Sequence, residues 1–481
     1  MKFRSMIAAL RAGCIASLAA ACGGVPTYDP PRPDMPVAWQ VEAPFRVVAP
    51  GDAAPKGRWW ERFGDAKLNQ LVEQSLAANP TLEGAFQRFA QSRATLASVS
   101  GQAYPQVSAN VRAQRLRITE NRPLNNYAAP QFSTTQNDFG VGLSASYEID
   151  LSGRVSSTIA GARASLEQTA ADLENVKLLL TADLATAYFN LRQTDIELDV
   201  LAQAIDLQRR SLAYARTRHD LGAGSGLDVA QQQALIDTNL TQVDILKRQR
   251  AQFEHAIATL TGTPAPLFSL APDLSEMTPP AVPIGVPSDI LERRPDVAAA
   301  ERAMAVANAQ VGIANAAFYP SITLGATVGQ QSRDIQTLFE KPSLVWSLGI
   351  NVLQPLIDGG RIRANFDFAQ AGYAITVANY RRVVLGAMQE AEDGIIGLAA
   401  LERAHDQSRR SIDSAQKVLD LVNTRYEGGV ASPLEVIVAQ QQLLNNQRLA
   451  SQLVGQRLLT SVFLVKALGG DWQGPQKLSA N

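Results

Sequence analysis

Between Ser156 and Leu221 apolar residues recur with a period of seven. Leu184, Leu191, Leu198, Ile205 and Leu212 mark one column, and Leu173, Leu180, Ala187 and Leu201 fill the companion column. A seam of this kind winds a helix against its neighbours in a left-handed supercoil. The stretch holds no proline, and Gly161 is its only interior glycine, so nothing breaks the helix. At about 1.5 Å per residue it predicts a rod roughly 100 Å long. Such a rod spans a distance rather than filling a core. Gly222, Gly224 and Gly226 then permit a tight reversal, and a second helix returns from Leu227 to about Leu260.

Ahead of this hairpin the period changes to two. Val107, Ala109, Val111 and Ala113 alternate with polar residues. After a polar loop, Phe139, Val141, Leu143, Ala145, Tyr147 and Ile149 alternate with Asp138, Gly140, Gly142, Ser144, Ser146 and Glu148. These predict β-strands with one apolar and one polar face, at about 105–116 and 138–149. Everything then recurs. Tyr319-Pro320 answers Tyr104-Pro105, and Ile322 to Val328 and Leu344 to Val352 give alternating strands at about 320–330 and 344–354. Arg361 answers Arg154, an offset of 361 − 154 = 207 that carries Leu191 to Leu398, Leu212 to Leu419 and Leu227 to Leu434. The chain is a duplication: a first repeat over 58–262 with a long hairpin at 156–260, and a second over 288–472 with one at 361–468. Prolines fill the linker at 263–287, and 473–481 form a tail.

The N-terminus changes the compartment. Lys2 and Arg4 precede an apolar and small-residue run ending Leu18-Ala19-Ala20-Ala21-Cys22-Gly23. This is an export signal over 1–21, and its end resembles a bacterial lipobox with Ala19 where leucine is usual. The resemblance implies lipidation (palmitate among the acyl chains) at Cys22 and, with Gly23 following, sorting to the outer membrane. Cys14 is the poorer candidate because Arg11 sits three places before it. Residues 22–57 are proline-rich and predict an extended arm able to carry the lipid away from the folded body. The formal net charge of -1 gives no nucleic-acid footprint, and cations spread along the helices read as a solvated face. No apolar run approaches the ~20 residues of a membrane helix. Any membrane span must come from the strands, and four cannot close a barrel where the smallest need about eight. Several copies must therefore pool them.

The leader with its lipobox, Arg58-Trp59-Trp60-Glu61-Arg62-Phe63, Leu68-Asn69-Gln70-Leu71-Val72, the duplicated layout and the two Thr-Arg tips resemble the TolC family. Within it they resemble the lipid-anchored, NodT-like or OprM-like branch of RND-type tripartite efflux systems. The resemblance implies a mainly α chain with a small membrane β part. It forms a homotrimer that pools four strands per copy into one twelve-strand outer-membrane barrel, continuous with a long periplasmic α-helical barrel. It implies a passive exit duct for drugs or other small toxic compounds, with a periplasmic adaptor (a membrane fusion protein), an inner-membrane RND transporter and outer-membrane lipid as partners. The exit channel of a type I protein-secretion system and a periplasmic coiled-coil scaffold are the alternatives.

By the same resemblance, Gly222, Ala223, Gly224 and Ser225 at one tip, and Gly429, Val430, Ala431 and Ser432 at the other, would dock the adaptor. Leu227, Gln231, Leu434 and Val438 would narrow the periplasmic aperture, with Val438 where several relatives carry aspartate. An apolar gate follows from that residue. No catalytic or metal site is expected, and no cofactor beyond the covalent lipid on Cys22. Gly222 to Gly226 follows a helix rather than a strand, which rules against a phosphate loop. Ser414 and Lys417 lie inside a heptad helix. His219, His255 and His405 lack ligand spacing, and His405 takes the heptad place of Leu198.

Overall fold

A computed structural model of the chain describes residues 28–29, 57–119, 134–275, 277–280 and 293–470. The leader, Cys14 and Cys22, nearly all of the proline-rich arm, the end of the linker from 281 and the tail lie outside the described residues. Helices α1 (Ala66–Ala78) and α2 (Pro80–Ser100) lead to strands β1 (Gln106–Ile118) and β2 (Thr134–Ile149), then to α3 (Arg154–Asp220) and α4 (Gly226–Leu260). The second round runs α5 (Pro295–Ala316), β3 (Ser321–Ser332), β4 (Leu344–Leu353), α6 (Arg361–Glu427) and α7 (Pro433–Ala467). Both long helices have 67 residues and both returning helices have 35, each pair displaced by 207 positions (361 − 154, 433 − 226). The mainly α fold with a small β part is as expected. No helix among the described residues is long and apolar enough to cross a membrane.

By internal contacts the chain divides into two units, each taking pieces of both repeats. One comprises 1–31, 90–168 and 301–379 and contains the sheet. Its strands lie in the order β1-β2-β3-β4, all antiparallel. The register repeats with the sequence: Gln106 faces Ser146 in the first hairpin, and 106 + 215 with 146 + 207 gives Ser321 facing Leu353 in the second. The apolar face is bare in the single chain, with Val111 81% and Trp346 71% exposed. Its outer strands, β1 and β4, each have one neighbour among the described residues.

Strand and helix ends depart from the sequence expectation. Helix α3 begins at Arg154, two residues early, because Asp150 accepts the Val155 and Ser156 amides at 2.9 and 2.7 Å. Asp358 does the same for Gly360 and Ile362 ahead of α6. These bonds hold the Asp358 carboxyl below the usual range. Strand β1 continues past 116 through Arg117 to Ile118, and β2 starts before 138, at Thr134, through Thr135 and Asn137. Polar residues replace the apolar alternation there while the backbone ladder continues. The arm also differs: Tyr28 donates to the Glu301 carboxylate at 2.5 Å and lies under Arg302, so it is tied to α5 at that residue.

The other unit comprises 32–89, 169–300 and 380–481. Leu184, Leu191, Leu201, Ile205 and Leu212 are buried as the heptad reading requires, and Ile205 and Leu212 cluster with Ile236 of α4. The aromatic opening turn packs on the middle of α3 through Phe63 and Phe189 at 4.9 Å, and Tyr188 donates to Asp65 at 2.6 Å. The expectation of solvated charges fails here. Arg192 is 2% exposed and pairs with Asp273, while Asp195 pairs with Arg250 at 2.6 Å and Glu197 with Arg448. Buried charges persist only when paired, so these ion pairs pin neighbouring segments to α3. The two repeats end alike: Asn79 donates to the Leu260 carbonyl at the end of α4, and Arg294 to the Ala467 carbonyl at the end of α7.

Candidate functional site: the two helix-hairpin tips

Both reversals use the same geometry. At the end of α3 the Ala223 amide donates to the Arg218 carbonyl (2.8 Å) and the Gly222 amide to the His219 carbonyl (2.9 Å). At the end of α6 the Val430 amide donates to Arg425 (2.8 Å) and the Gly429 amide to Tyr426 (3.0 Å). These are Schellman turns, which need a left-handed residue at the position after the helix. Gly222 and Gly429 supply it, each at φ 74. Neither has an atom within 4 Å of where a Cβ would stand, so backbone conformation and not crowding selects glycine there. Gly224 is the reverse: a Cβ on it would come within 3.2 Å of the His219 amide nitrogen.

The next helix starts on a capping box at each tip. Ser225 accepts from Leu227 and its own amide reaches Asp228; Ser432 accepts from Glu435 and its amide donates to Glu435 at 2.9 Å. The Ser432 amide and hydroxyl hold the Glu435 carboxyl below the usual range. Serine followed three places later by an acid is visible in the sequence and marks both helix starts, where the sequence reading assigned Ser225 and Ser432 to docking and not to capping.

The tips touch each other through Tyr426. Its ring meets Tyr214 edge-on at 5.6 Å and receives Arg218 at 5.5 Å. His219, the counterpart of Tyr426 in the first repeat, turns inward and donates from Nδ1 to the Gly224 carbonyl at 3.2 Å. Tyr214 has no counterpart signal, since position 421 is leucine. Behind the tips a buried amide cluster joins three helices. Asn239 donates to Gln208 at 3.0 Å, Gln232 to the Gln208 carbonyl at 3.3 Å, and Gln440 to Ser211 at 2.8 Å.

Of the docking residues, Gly222, Ala223, Ser225, Gly429, Val430 and Ser432 are exposed and Gly224 is half-buried. Ala431 is 9% exposed and faces its own chain, so its side chain is not on the surface the sequence assigned it. The aperture residues Leu434 and Val438 stand 54% and 59% exposed, one turn apart on α7. Leu227 is exposed and Gln231 half-buried at the matching places on α4. The site is a pair of small-residue turns with an apolar step beside them. It offers exposed surface on both turns.

Known proteins agree with this architecture. The family model described as "Outer membrane efflux protein" matches residues 71–263 and 286–470. The pyoverdine export outer membrane protein OpmQ of Pseudomonas aeruginosa is 30% identical over 99% of this chain and 98% of its own. The toluene efflux pump outer membrane protein TtgF of Pseudomonas putida is 30% identical over 94% of each. Among solved structures, the outer-membrane channel OprN superposes with a TM-score of 0.85 at 27% identity, covering 93% of this chain and 99% of that one.

Proposed function

The chain belongs to the outer membrane efflux protein family, and on that premise we propose that it is the exit duct of a tripartite RND-type pump. Drugs or other small toxic compounds would reach it from a periplasmic adaptor and an inner-membrane transporter and leave by diffusion. The observation that carries the reading is the sheet. Four strands expose an apolar face, and among the described residues both outer strands keep one edge open. Hydrocarbon accepts the face and forbids the edge. A homotrimer resolves both demands, because three copies pool their strands into one closed barrel.

In this reading the two tips meet the adaptor through Ala223 and Val430, and Leu227, Gln231, Leu434 and Val438 form the periplasmic constriction. A lipid on Cys22 adds a second hold on the outer membrane. Tyr28 is fixed to Glu301, so six residues of chain (28 − 22) at about 3.5 Å each keep that lipid within about 21 Å of α5. Substrate choice lies elsewhere. Small residues (serine, threonine and glycine) make up about half of the polar sheet face, and the relatives above are named for compounds as different as pyoverdine and toluene.

The test is the detergent-corrected mass of protein extracted from outer-membrane fractions, followed by efflux in cells carrying Ala223→Arg with Val430→Asp. A trimeric mass and lost efflux at unchanged protein level are expected. A monomeric mass would reject the shared barrel, and full efflux in the double variant would reject docking at the tips.

A further inference from the structure

Helices α3 and α6 are repeat partners of equal length, yet one face is buried on the first and bare on the second. On α3, Ser157, Gly161 and Ala164 are buried. Helix α5 covers them: a Cβ on Gly161 would stand 3.2 Å from that of Ala309, and Arg302 reaches Glu167 at 2.8 Å. The counterparts on α6 (157 + 207, 161 + 207, 164 + 207) are Ala364, Phe368 and Ala371, and all three are exposed. Phe368 is 81% exposed, and Ile375, two turns further on the same face, is 70% exposed. The difference continues down the helix. Leu178 of α3 is 9% exposed, with Gly470 at the end of α7 against its Cδ1. Its counterpart Leu385, the same side chain in the same place, is 66% exposed.

The helix equivalent to α5 is α2, displaced by 215 positions (295 − 80). Ala309 maps to Ala94 and Gly312 to Ala97; on α5 both places are buried, and on α2 both are exposed. Each chain therefore holds one completed version of this helix contact and the two separate halves of another. The halves fit in size, since α2 presents alanines where α6 presents Phe368 and Ile375. The ion pair has no equivalent, because 302 − 215 and 167 + 207 are Gln87 and Ala374. The second contact must rest on apolar burial, which the larger side chains of α6 supply. Contiguous exposed apolar surface marks a place of association. Hydrocarbon is a poor cover here, since the exposed ion pair of Arg363 with Asp367 lies beside Phe368.

We propose that the stripe of Phe368, Ile375 and Leu385 on α6 seats the first repeat of a second copy. Phe368 lies against Ala94 on α2 of that copy, and Leu385 against its Thr263 (470 − 207), at the end of α4. Each copy thereby completes the helical wall of its neighbour, with an apolar seam that is separate from the shared strands. The proposal rests on the homotrimer proposed above and adds the helix surface through which its copies meet.

The test uses the full-length chain extracted from outer membranes, and the detergent-corrected mass of the native protein is read first. A monomer overturns the homotrimer and this proposal together. In a trimer, Ala94→Cys with Phe368→Cys should give a cross-linked ladder up to trimer under oxidation, because the equivalent Cβ positions within the chain lie in disulfide reach. Thr263→Cys with Leu385→Cys is the second pair and decides the matter if the first does not assemble. Ala94→Cys with Gln370→Cys, which sits about 200° around α6 from Phe368, should run as monomer on a denaturing gel. Phe368→Asp should lower the temperature at which the trimer dissociates, and Phe368→Leu should lower it less. Trimeric cysteine pairs that give no ladder, an equal ladder with Gln370→Cys, or an unaltered dissociation temperature in Phe368→Asp would each overturn the proposal while leaving the homotrimer standing.

Discussion

Tyr426 and His219 hold equivalent places in the two repeats, and their side chains go different ways. Tyr426 spans to the other hairpin, taking Arg218 and Tyr214 on its ring, whereas His219 braces its own turn. An exposed cation–π contact contributes about 0.5–1 kcal/mol. A double-mutant cycle of Arg218→Ala and Tyr426→Leu should return a coupling of that size in the hydrogen-exchange stability of the Leu221–Ala223 amides; additive single effects would deny the contact. Glu435 gives the second tip a pH dependence. Its folded carboxyl sits below the ordinary glutamate range because the Ser432 amide and hydroxyl donate to it. Its contribution to the cap is therefore complete above that range and lost as the pH falls through the depressed value. Exchange protection at Ser432–Glu435 should drop on acidification in the native chain and stay flat in Glu435→Gln, which keeps the capping geometry. The turn glycines and serines of both tips were legible in the sequence. The Tyr426 bridge was not, because it joins hairpins roughly 200 residues apart and one of its members, Tyr214, is answered in the second repeat by Leu421.

At the level of helices and strands the sequence was most informative where a single period runs long. Leu184 to Leu212 announce α3, and Phe139 to Ile149 announce β2 with the correct faces. It was least informative where tertiary partners decide. Nothing local to Asp195 marks it for burial, since its partner Arg250 lies on the returning helix. Strand ends were misread for a related reason: the ladder through Arg115 and Arg117 is held by backbone pairing that outlasts the apolar pattern. The same sheet contains a close approach of purely backbone origin. Gly142 faces Gly329 across the β2–β3 pair, and a Cβ on Gly329 would lie 2.5 Å from the Val141 carbonyl oxygen. Gly329→Ala should cost about 1–3 kcal/mol through forced separation of the strands and reduce recovery of assembled protein from the outer membrane. Gly325→Ala, with nothing within 4 Å of its Cβ position, should not. Equal losses in both would point to a general intolerance of side chains on that face.

For the whole molecule the repeated register makes the contact between copies explicit. Leu143 faces Val328 across β2–β3. Moving those positions by 207 and −215 places Ile350 of one copy against Ala113 of the next. Ala113→Cys with Ile350→Cys should form a cross-linked ladder up to trimer under oxidation, in a chain whose only other cysteines are Cys14 and Cys22. Pairing Ala113→Cys with Trp346→Cys should not, and the reverse result would show that the seam between copies breaks the repeat.

The helix lengths that match to the residue have a historical consequence. A tube built from a half-length ancestor would need six identical copies, and every change at a tip would then appear six times around the ring. Fusion into one chain would halve that constraint. The two tips of this chain differ, with His219 at one and Tyr426 at the other, so alternate positions around such a ring would be free to take on separate duties while the wall between them stayed the same.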